Sequence, residues 1–336
     1  MSGHRTGDRV VIGVWRETAR GETRVALTPA AVRRLTDHGL DVTVETGAGE
    51  RAGFADSHFR AAGARIAPDA GAVGAAADIV AWVKTPAFAL SGDRLRPGTT
   101  LIGFQDPHQR RERIDALAGH GIRSIAFESV PRTAATAEYD ALTPMSRVAG
   151  GVAYTAARAL LPAATRKRPI RSLVLGFGAA GRAALDAALA AGDTPPTVVA
   201  ARRETEPTAL AAGARACVTA AGPAAIRALV PEVAPDIVLC AALHRGDPAP
   251  LLLDDAALGL LAPGSVVVDL AAKAGGNCSA TRRDTTRTLP NGVVVTHRSN
   301  YPAARPGEAS HAYAAATTAM ILRLVAGGEP PTVNQN

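Results

Sequence analysis

The run Ser172-Leu-Val-Leu-Gly-Phe-Gly-Ala-Ala-Gly-Arg182 carries the most specific chemistry in this sequence. It reads as a buried strand entering Gly176-x-Gly178-x-x-Gly181 and then an Ala/Leu-rich helix. Gly176 permits a tight turn, Gly178 lets the backbone approach a pyrophosphate, and Gly181 lets helix and strand pack closely. The helix start offers N–H groups and a positive dipole end to phosphates, which puts Ala179 and Ala180 with the glycines as cofactor contacts. A second strand follows, read as Val198 to Ala201, and it is succeeded by Arg202-Arg203-Glu204. An acid at that strand end accepts from both adenosine ribose hydroxyls, whereas guanidiniums bind a 2′-phosphate. Arg202 and Arg203 therefore point to NADP(H) over NAD(H), with Glu204 leaving NAD(H) open if the turn is shifted.

These residues need a frame, and the apolar runs supply it. Arg9–Trp15, Asp41–Glu45, Ile79–Lys84, Thr100–Phe104 and Ile122–Phe127 read as strands, with helices from Thr28-Pro29 to about Gly39, over Ser57–Gly63 and over Arg110–Ala118. Thr28 is suited to cap the first of these and Pro29 to open it. The βα alternation predicts parallel sheets with helices on their faces. A long apolar helix, Ser146–Leu161, connects to the dinucleotide unit. Its later strands are Ile237–Cys240, Ser265–Leu270 and Val293–Thr296. An apolar tail helix, His311–Val325, must pack somewhere, and a return to the first domain or the connector is expected.

The 336 residues suggest two domains, and 47% hydrophobic with 20% charged residues is an ordinary globular mix. With 4% aromatics, the cores are expected to be built from Ala, Val and Leu. No apolar run approaches the ~18 residues of a membrane span, and Met1–Arg9 has no signal-peptide core, so a cytoplasmic protein is expected. Cys217, Cys240 and Cys278 are scattered, which argues against a thiolate zinc site, and no metal is expected. The net charge of +7 is dispersed, which speaks for small anionic ligands rather than nucleic acid.

A series of motifs in order gives a family resemblance. They are Arg16-Glu17, Glu22-x-Arg24-Val-Ala-Leu-Thr-Pro29, Val44-Glu-Thr-Gly-Ala-Gly49, Val83-Lys-Thr-Pro86, Glu128-Ser-Val-Pro-Arg132 and Leu142-Thr-Pro-Met-Ser-Arg-Val-Ala-Gly150. After the fingerprint turn come Ala249-Pro250, Pro263-Gly-Ser-Val-Val-Val-Asp-Leu-Ala-Ala272 and Gly275-Gly-Asn277. Together they resemble the alanine dehydrogenase and pyridine nucleotide transhydrogenase family over nearly the whole chain. The overall look is nearest to the soluble nucleotide-binding part of the transhydrogenase alpha subunit. The resemblance implies an α/β fold of two Rossmann-like domains with a cleft between them. Residues 1–143 with 305–336 form the substrate domain and 144–304 the dinucleotide domain. It also implies a homodimer or larger homo-oligomer.

By that resemblance, Arg24 and Lys84 match the cations that hold an oxo acid's carboxylate and carbonyl. Asp106 matches the position of the catalytic histidine, with His108 two residues on, and Lys273 stands where a catalytic aspartate is expected. Both acid/base groups are thus changed in type, and Asp106, His108 and Lys273 become rival proton-transfer candidates. Arg132 and Asp140 match the ends of the transhydrogenase Arg-Gln-Asp loop, with Ala137 in the glutamine position. The same likeness extends the cofactor set to Ser146, Ala242, Leu243, Asp269 and Asn277. Two functions follow. One is NAD(P)H-dependent reduction of a C=O or C=N bond next to a carboxylate, in specialised amino-acid metabolism. The other is a transhydrogenase alpha-like subunit passing hydride to a partner protein.

Overall fold

A computed structural model describes residues 9–90, 94–107, 109–220, 222–243 and 247–331. The chain divides into two compact units, one built up to Met145 and again from Ala303, the other from Ser146 to Pro302.

The first unit holds a sheet of strands β1 (Val11–Val14), β2 (Asp41–Glu45), β3 (Arg65–Ala67), β4 (Ile79–Lys84), β5 (Thr100–Phe104) and β6 (Arg123–Ala126). Their order is β3-β2-β1-β4-β5-β6 and all pairings are parallel. This is the doubly wound arrangement, whose order reverses between β1 and β4. Ligands of such sheets bind beyond the carboxyl ends of the strands. Helix α1 (Pro29–Asp37) begins as expected, with Thr28 Oγ accepting from the Ala31 N–H. Helices α2 (Asp56–Ala61), α3 (Ala70–Ala76) and α4 (Arg111–Gly119) complete the crossovers.

The expectation of an aliphatic core needs correction here. Both tryptophans and every phenylalanine except Phe177 fall in this unit. Trp15 and Trp82 stack with centroids 5.7 Å apart. Phe104, Phe127 and Tyr313 pack mutually at 5.3–6.1 Å. A low average hid a concentrated aromatic core.

The connector helix α5 starts at Leu142, four residues before the sequence reading. Asp140 supplies the missing cap: its carboxylate accepts from the N–H groups of Leu142 and Thr143. Pro144 then sits in the first turn, where it costs no intrahelical hydrogen bond.

The second unit holds β7 (Ser172–Leu175), β8 (Thr197–Ala200), β9 (Ala216–Thr219), β10 (Ile237–Cys240), β11 (Val266–Asp269), β12 (Thr286–Thr288) and β13 (Val294–Thr296). The order is β12-β13-β11-β10-β7-β8-β9, parallel except for β12 against β13. Strands β7, β8, β10 and β11 are buried along their length, as parallel strands covered on both faces must be. Helices α6 (Ala179–Ala190), α7 (Glu206–Ala211), α8 (Pro223–Val233) and α9 (Asp255–Gly259) follow. Strand β8 ends at Ala200, one residue earlier than the sequence reading, because its pairing with β9 stops at Ala200–Thr219.

The tail helix α10 (Pro306–Val325) packs in the first unit, against α1 and β4. Tyr313 is fully buried and donates to the carbonyl of Trp82 at 2.8 Å. Ser310 accepts from the N–H of Val25 at 3.0 Å. The tail thereby fixes both the strand that ends in Lys84 and the loop that carries Arg24. No helix among the described residues is long and apolar enough to cross a membrane.

Candidate functional site

In the first unit the loop after β1 turns back on the sheet and buries two carboxylates. Glu22 is inaccessible to solvent and grips Arg24 bidentately, with Nε to Oε1 and Nη2 to Oε2 both 2.6 Å. Lys84 Nζ stands 4.0 Å from the same Oε2, and its side chain is 34% exposed. Burial works to raise the Glu22 carboxyl, but the hydrogen bonds and charge of Arg24, with Lys84 beside it, hold its pKa below the usual range. Arg24 also directs Nη1 to the Met145 sulfur at 3.1 Å. The structure therefore brings the two predicted cations, Arg24 and Lys84, onto one anion.

Glu17 positions the lysine. Its buried carboxylate accepts from the backbone N–H groups of Val83 at 2.6 Å and Lys84 at 3.0 Å, pinning the end of β4. Burial dominates and pushes its pKa up to about 8, against the lowering effect of those two N–H bonds. Glu17 and Glu22 both lie in motifs of the sequence, but their roles depend on partners that only the folded chain brings close.

Strand β5 delivers Gln105 and Asp106 to the same edge of the sheet as Lys84, since β4 and β5 are parallel neighbours. Asp106 is left-handed, with φ 55°, a conformation that Asp tolerates better than most residues. Its N–H and that of Gln105 both donate to the Glu128 carboxylate, at 2.9 and 3.1 Å. Glu128 thus clamps the turn that presents Asp106. His108 lies outside the described residues. Arg132 is exposed, and Asp140 is committed to capping α5. Ala137 lies in the short turn Ala134–Tyr139.

In the second unit the glycines divide by function. A Cβ on Gly181 would lie 1.9 Å from the Gly176 carbonyl, and one on Gly176, at φ 97°, would meet Ala241 and Ala242 backbone at 2.7 Å. Those two are glycine for the protein's own packing. A Cβ on Gly178 would meet nothing within 4 Å. Gly178 starts α6 without any side-chain cap, so no capping side chain takes up the first-turn N–H groups around Ala179 and Ala180. That geometry fits a pyrophosphate. Gly150, one turn beyond Ser146 on α5, lets that helix close on Ala180, where a Cβ would stand 2.0 Å from the carbonyl.

Arg202 and Arg203 sit just past β8, both exposed, and neither guanidinium has an ion pair among the described residues; Glu204 is exposed beside them. Asp269 and Asn277 serve the loops. The buried Asp269 carboxylate accepts from the N–H groups of Ala271 and Asn277 (both 2.9 Å) and Cys278 (3.2 Å), and from the Thr281 hydroxyl (2.8 Å). Asn277 accepts from Ala242 N–H and donates to the carbonyls of Ala242 and Pro250. These two side chains shape the floor beyond β10 and β11, including Ala242 and the exposed Leu243. Lys273 is exposed on the turn Ala272–Ala274 after β11.

With this geometry in place, comparisons with known proteins are informative. Residues 13–149 match the family model described as alanine dehydrogenase/PNT, N-terminal domain, and residues 152–336 match its C-terminal domain. The chain is 34% identical to a protein named NAD(P) transhydrogenase subunit alpha from Cereibacter sphaeroides, over 93% of this chain and 65% of that one. It thus spans slightly under two thirds of that relative. It is 33% identical to an alanine dehydrogenase from Halomonas elongata, over 94% of this chain and 88% of that one. A solved transhydrogenase structure from Sinorhizobium meliloti superposes with a TM-score of 0.85 at 28% identity, covering 94% of each chain.

Proposed function

The chain belongs to the alanine dehydrogenase/PNT family, and from that premise we propose that it is an NAD(P)-dependent oxidoreductase reducing a C=O or C=N bond next to a carboxylate. The observation that carries this reading is the gathering of Arg24 and Lys84 on Glu22 at the carboxyl edge of the first sheet. A cation pair with one net positive charge suits a substrate carboxylate and the polarised bond beside it. The nicotinamide nucleotide supplies a hydride when bound. Lys84 Nζ hydrogen-bonds the carbonyl oxygen or imine nitrogen that gains electron density, and Glu17 fixes the backbone from which Lys84 extends. The proton that completes the reduction comes from Asp106, His108 or Lys273. Arg202 and Arg203, exposed and without counter-ions among the described residues, support NADP(H), since a 2′-phosphate would supply an anion there.

The test is NADPH oxidation by the purified chain with a panel of 2-oxo acids, with and without amines. Turnover is expected and should fall at least ~100-fold in Lys84→Met, as for loss of a donor to developing charge. Absence of turnover across the panel sinks the reading. Calorimetry of NADPH against NADH, on the protein and on Arg202→Asp, tests the cofactor assignment. NADPH preference lost in the variant supports it; equal NADH binding by both refutes it.

A second reading keeps one specific observation. Arg24 is 3% exposed, with two of its three nitrogens locked on Glu22, which suits a structural cation. A transhydrogenase alpha-like subunit passing hydride to a partner protein would need no substrate carboxylate there. Hydride transfer seen only after a partner is added would establish it.

A further inference from the structure

Beside the Glu22 cluster lies a second cationic group that the proposed function leaves unused. Arg113, on α4, reaches back over the ends of β4 and β5. Its Nη2 donates to the Thr85 hydroxyl (3.2 Å), the Gln105 carbonyl (3.1 Å) and the Gln105 Oε1 (3.2 Å). All three acceptors are neutral, and among the described residues no carboxylate lies within salt-bridge distance of this guanidinium. Its Nε and Nη1 are closed to solvent and have no hydrogen-bond partner. Gln105 is 0% exposed, and its Nε2 is likewise without a partner. The amide orientation is not arbitrary, because the flipped form would point an N–H₂ at the guanidinium.

A guanidinium with two nitrogens closed to solvent and no counter-ion among the described residues is costly, and each unmade buried donor adds to that cost. Burial, with Arg110 close by, already pushes the Arg113 pKa down, while Asp106 and Glu128 oppose that from a distance. Such an arrangement is at odds with the otherwise complete pairing around it. Glu17, Glu22, Glu128 and Asp140 each satisfy several neighbours. What the three open donors lack is an oxyanion. The Nε–H and Nη1–H point in different directions, so each can give an oxyanion one charge-assisted hydrogen bond, and the amide N–H₂ of Gln105 one side chain away adds a further donor. The position is equally specific. Thr85 directly follows Lys84, and Gln105 directly precedes Asp106, so the group stands on the same sheet edge as the proposed substrate cations.

We propose that Arg113 and Gln105 form a subsite for a second carboxylate, so that the substrate is a dicarboxylic 2-oxo or imino acid. This rests on the function proposed above and deepens it.

The test is calorimetric binding, with NADP⁺ present so that no turnover occurs. The probes are 2-oxo dicarboxylates of four to six carbons, each against the 2-oxo monocarboxylate of equal length. The expected result is a preference for one dicarboxylate of about tenfold or more, which is ~1.4 kcal/mol. Arg113→Met should abolish that preference while leaving monocarboxylate binding unchanged. Gln105→Leu should reduce it, and provides an independent variant should Arg113→Met fail to fold. Equal binding of the two acid classes, unaffected by either variant, overturns the subsite and leaves the proposed reduction standing. No binding of any probe overturns both.

Discussion

Replacing Glu22 by Gln should destabilise the first unit strongly, and the reason lies in one buried anion. The carboxylate accepts from the backbone N–H groups of Thr23 and Arg24 and from Nε and Nη2 of Arg24. Both side chains of the pair are at most 2% exposed. Gln keeps the shape but removes the charge and turns one acceptor into a donor that faces the guanidinium. Breaking one side of a buried ion pair costs about 3–5 kcal/mol, because the remaining charge stays desolvated. At ~2–4 °C per kcal/mol for a unit of this size, the melting midpoint should drop on the order of 10 °C. The assay can be confined to this unit, since Trp15 and Trp82 are the chain's two tryptophans and both belong to it. Tryptophan fluorescence during urea or thermal unfolding therefore follows the relevant transition. Arg24→Met should cost a similar amount, yet the double variant Glu22→Gln/Arg24→Met should cost less than the sum, because a neutral pair leaves no orphaned charge. A loss under ~1 kcal/mol for Glu22→Gln, or strict additivity in the double variant, would refute the electrostatic account.

Other consequences can be measured with the same methods. Glu17 has its pKa raised from 4.5 to about 8 in the folded protein, mainly by burial, so the native state binds the proton more tightly than the unfolded chain. Stability should therefore fall as pH rises from about 4.5 to about 8, and Glu17→Gln should flatten that slope; an unchanged pH profile in the variant would remove Glu17 as its source. Gly178→Ala should leave the melting midpoint within a few degrees but weaken nucleotide binding, because its Cβ enters open space where a pyrophosphate would lie. Gly181→Ala should instead destabilise the second unit by ~1–3 kcal/mol through overpacking against the Gly176 carbonyl. Equal effects of the two substitutions on both readouts would contradict this division.

Much of the framework was legible because parallel strands are buried on both faces and so appear as unbroken apolar runs. Asp41–Glu45, Ile79–Lys84, Thr100–Phe104 and Ile237–Cys240 have the expected bounds. The strands missed, Arg65–Ala67, Ala216–Thr219 and Thr286–Thr288, are short edge or near-edge strands with exposed residues, and they leave no such run. The aromatic core was illegible because composition averages over two units that differ sharply. Within the site, Arg24 and Lys84 stood out by motif. Arg113 did not, and the role of Glu17 could not be read from its motif, because each matters through a partner brought close by chain reversal: Arg113 meets Thr85, 28 residues away, and Glu17 meets Lys84 across 67.

The polar motif residues differ in what their hydrogen bonds hold. Glu17, Glu128, Asp140, Asp269 and Asn277 accept from backbone N–H groups and hold the loops at the strand ends. Changing any of them would leave buried N–H donors unmet at ~1–3 kcal/mol each. Asp106 and Lys273 stand on the turns that follow β5 and β11. Asp106 meets Glu128 through a backbone N–H held in a left-handed conformation that Asp tolerates better than most residues, and Lys273 is exposed on its turn.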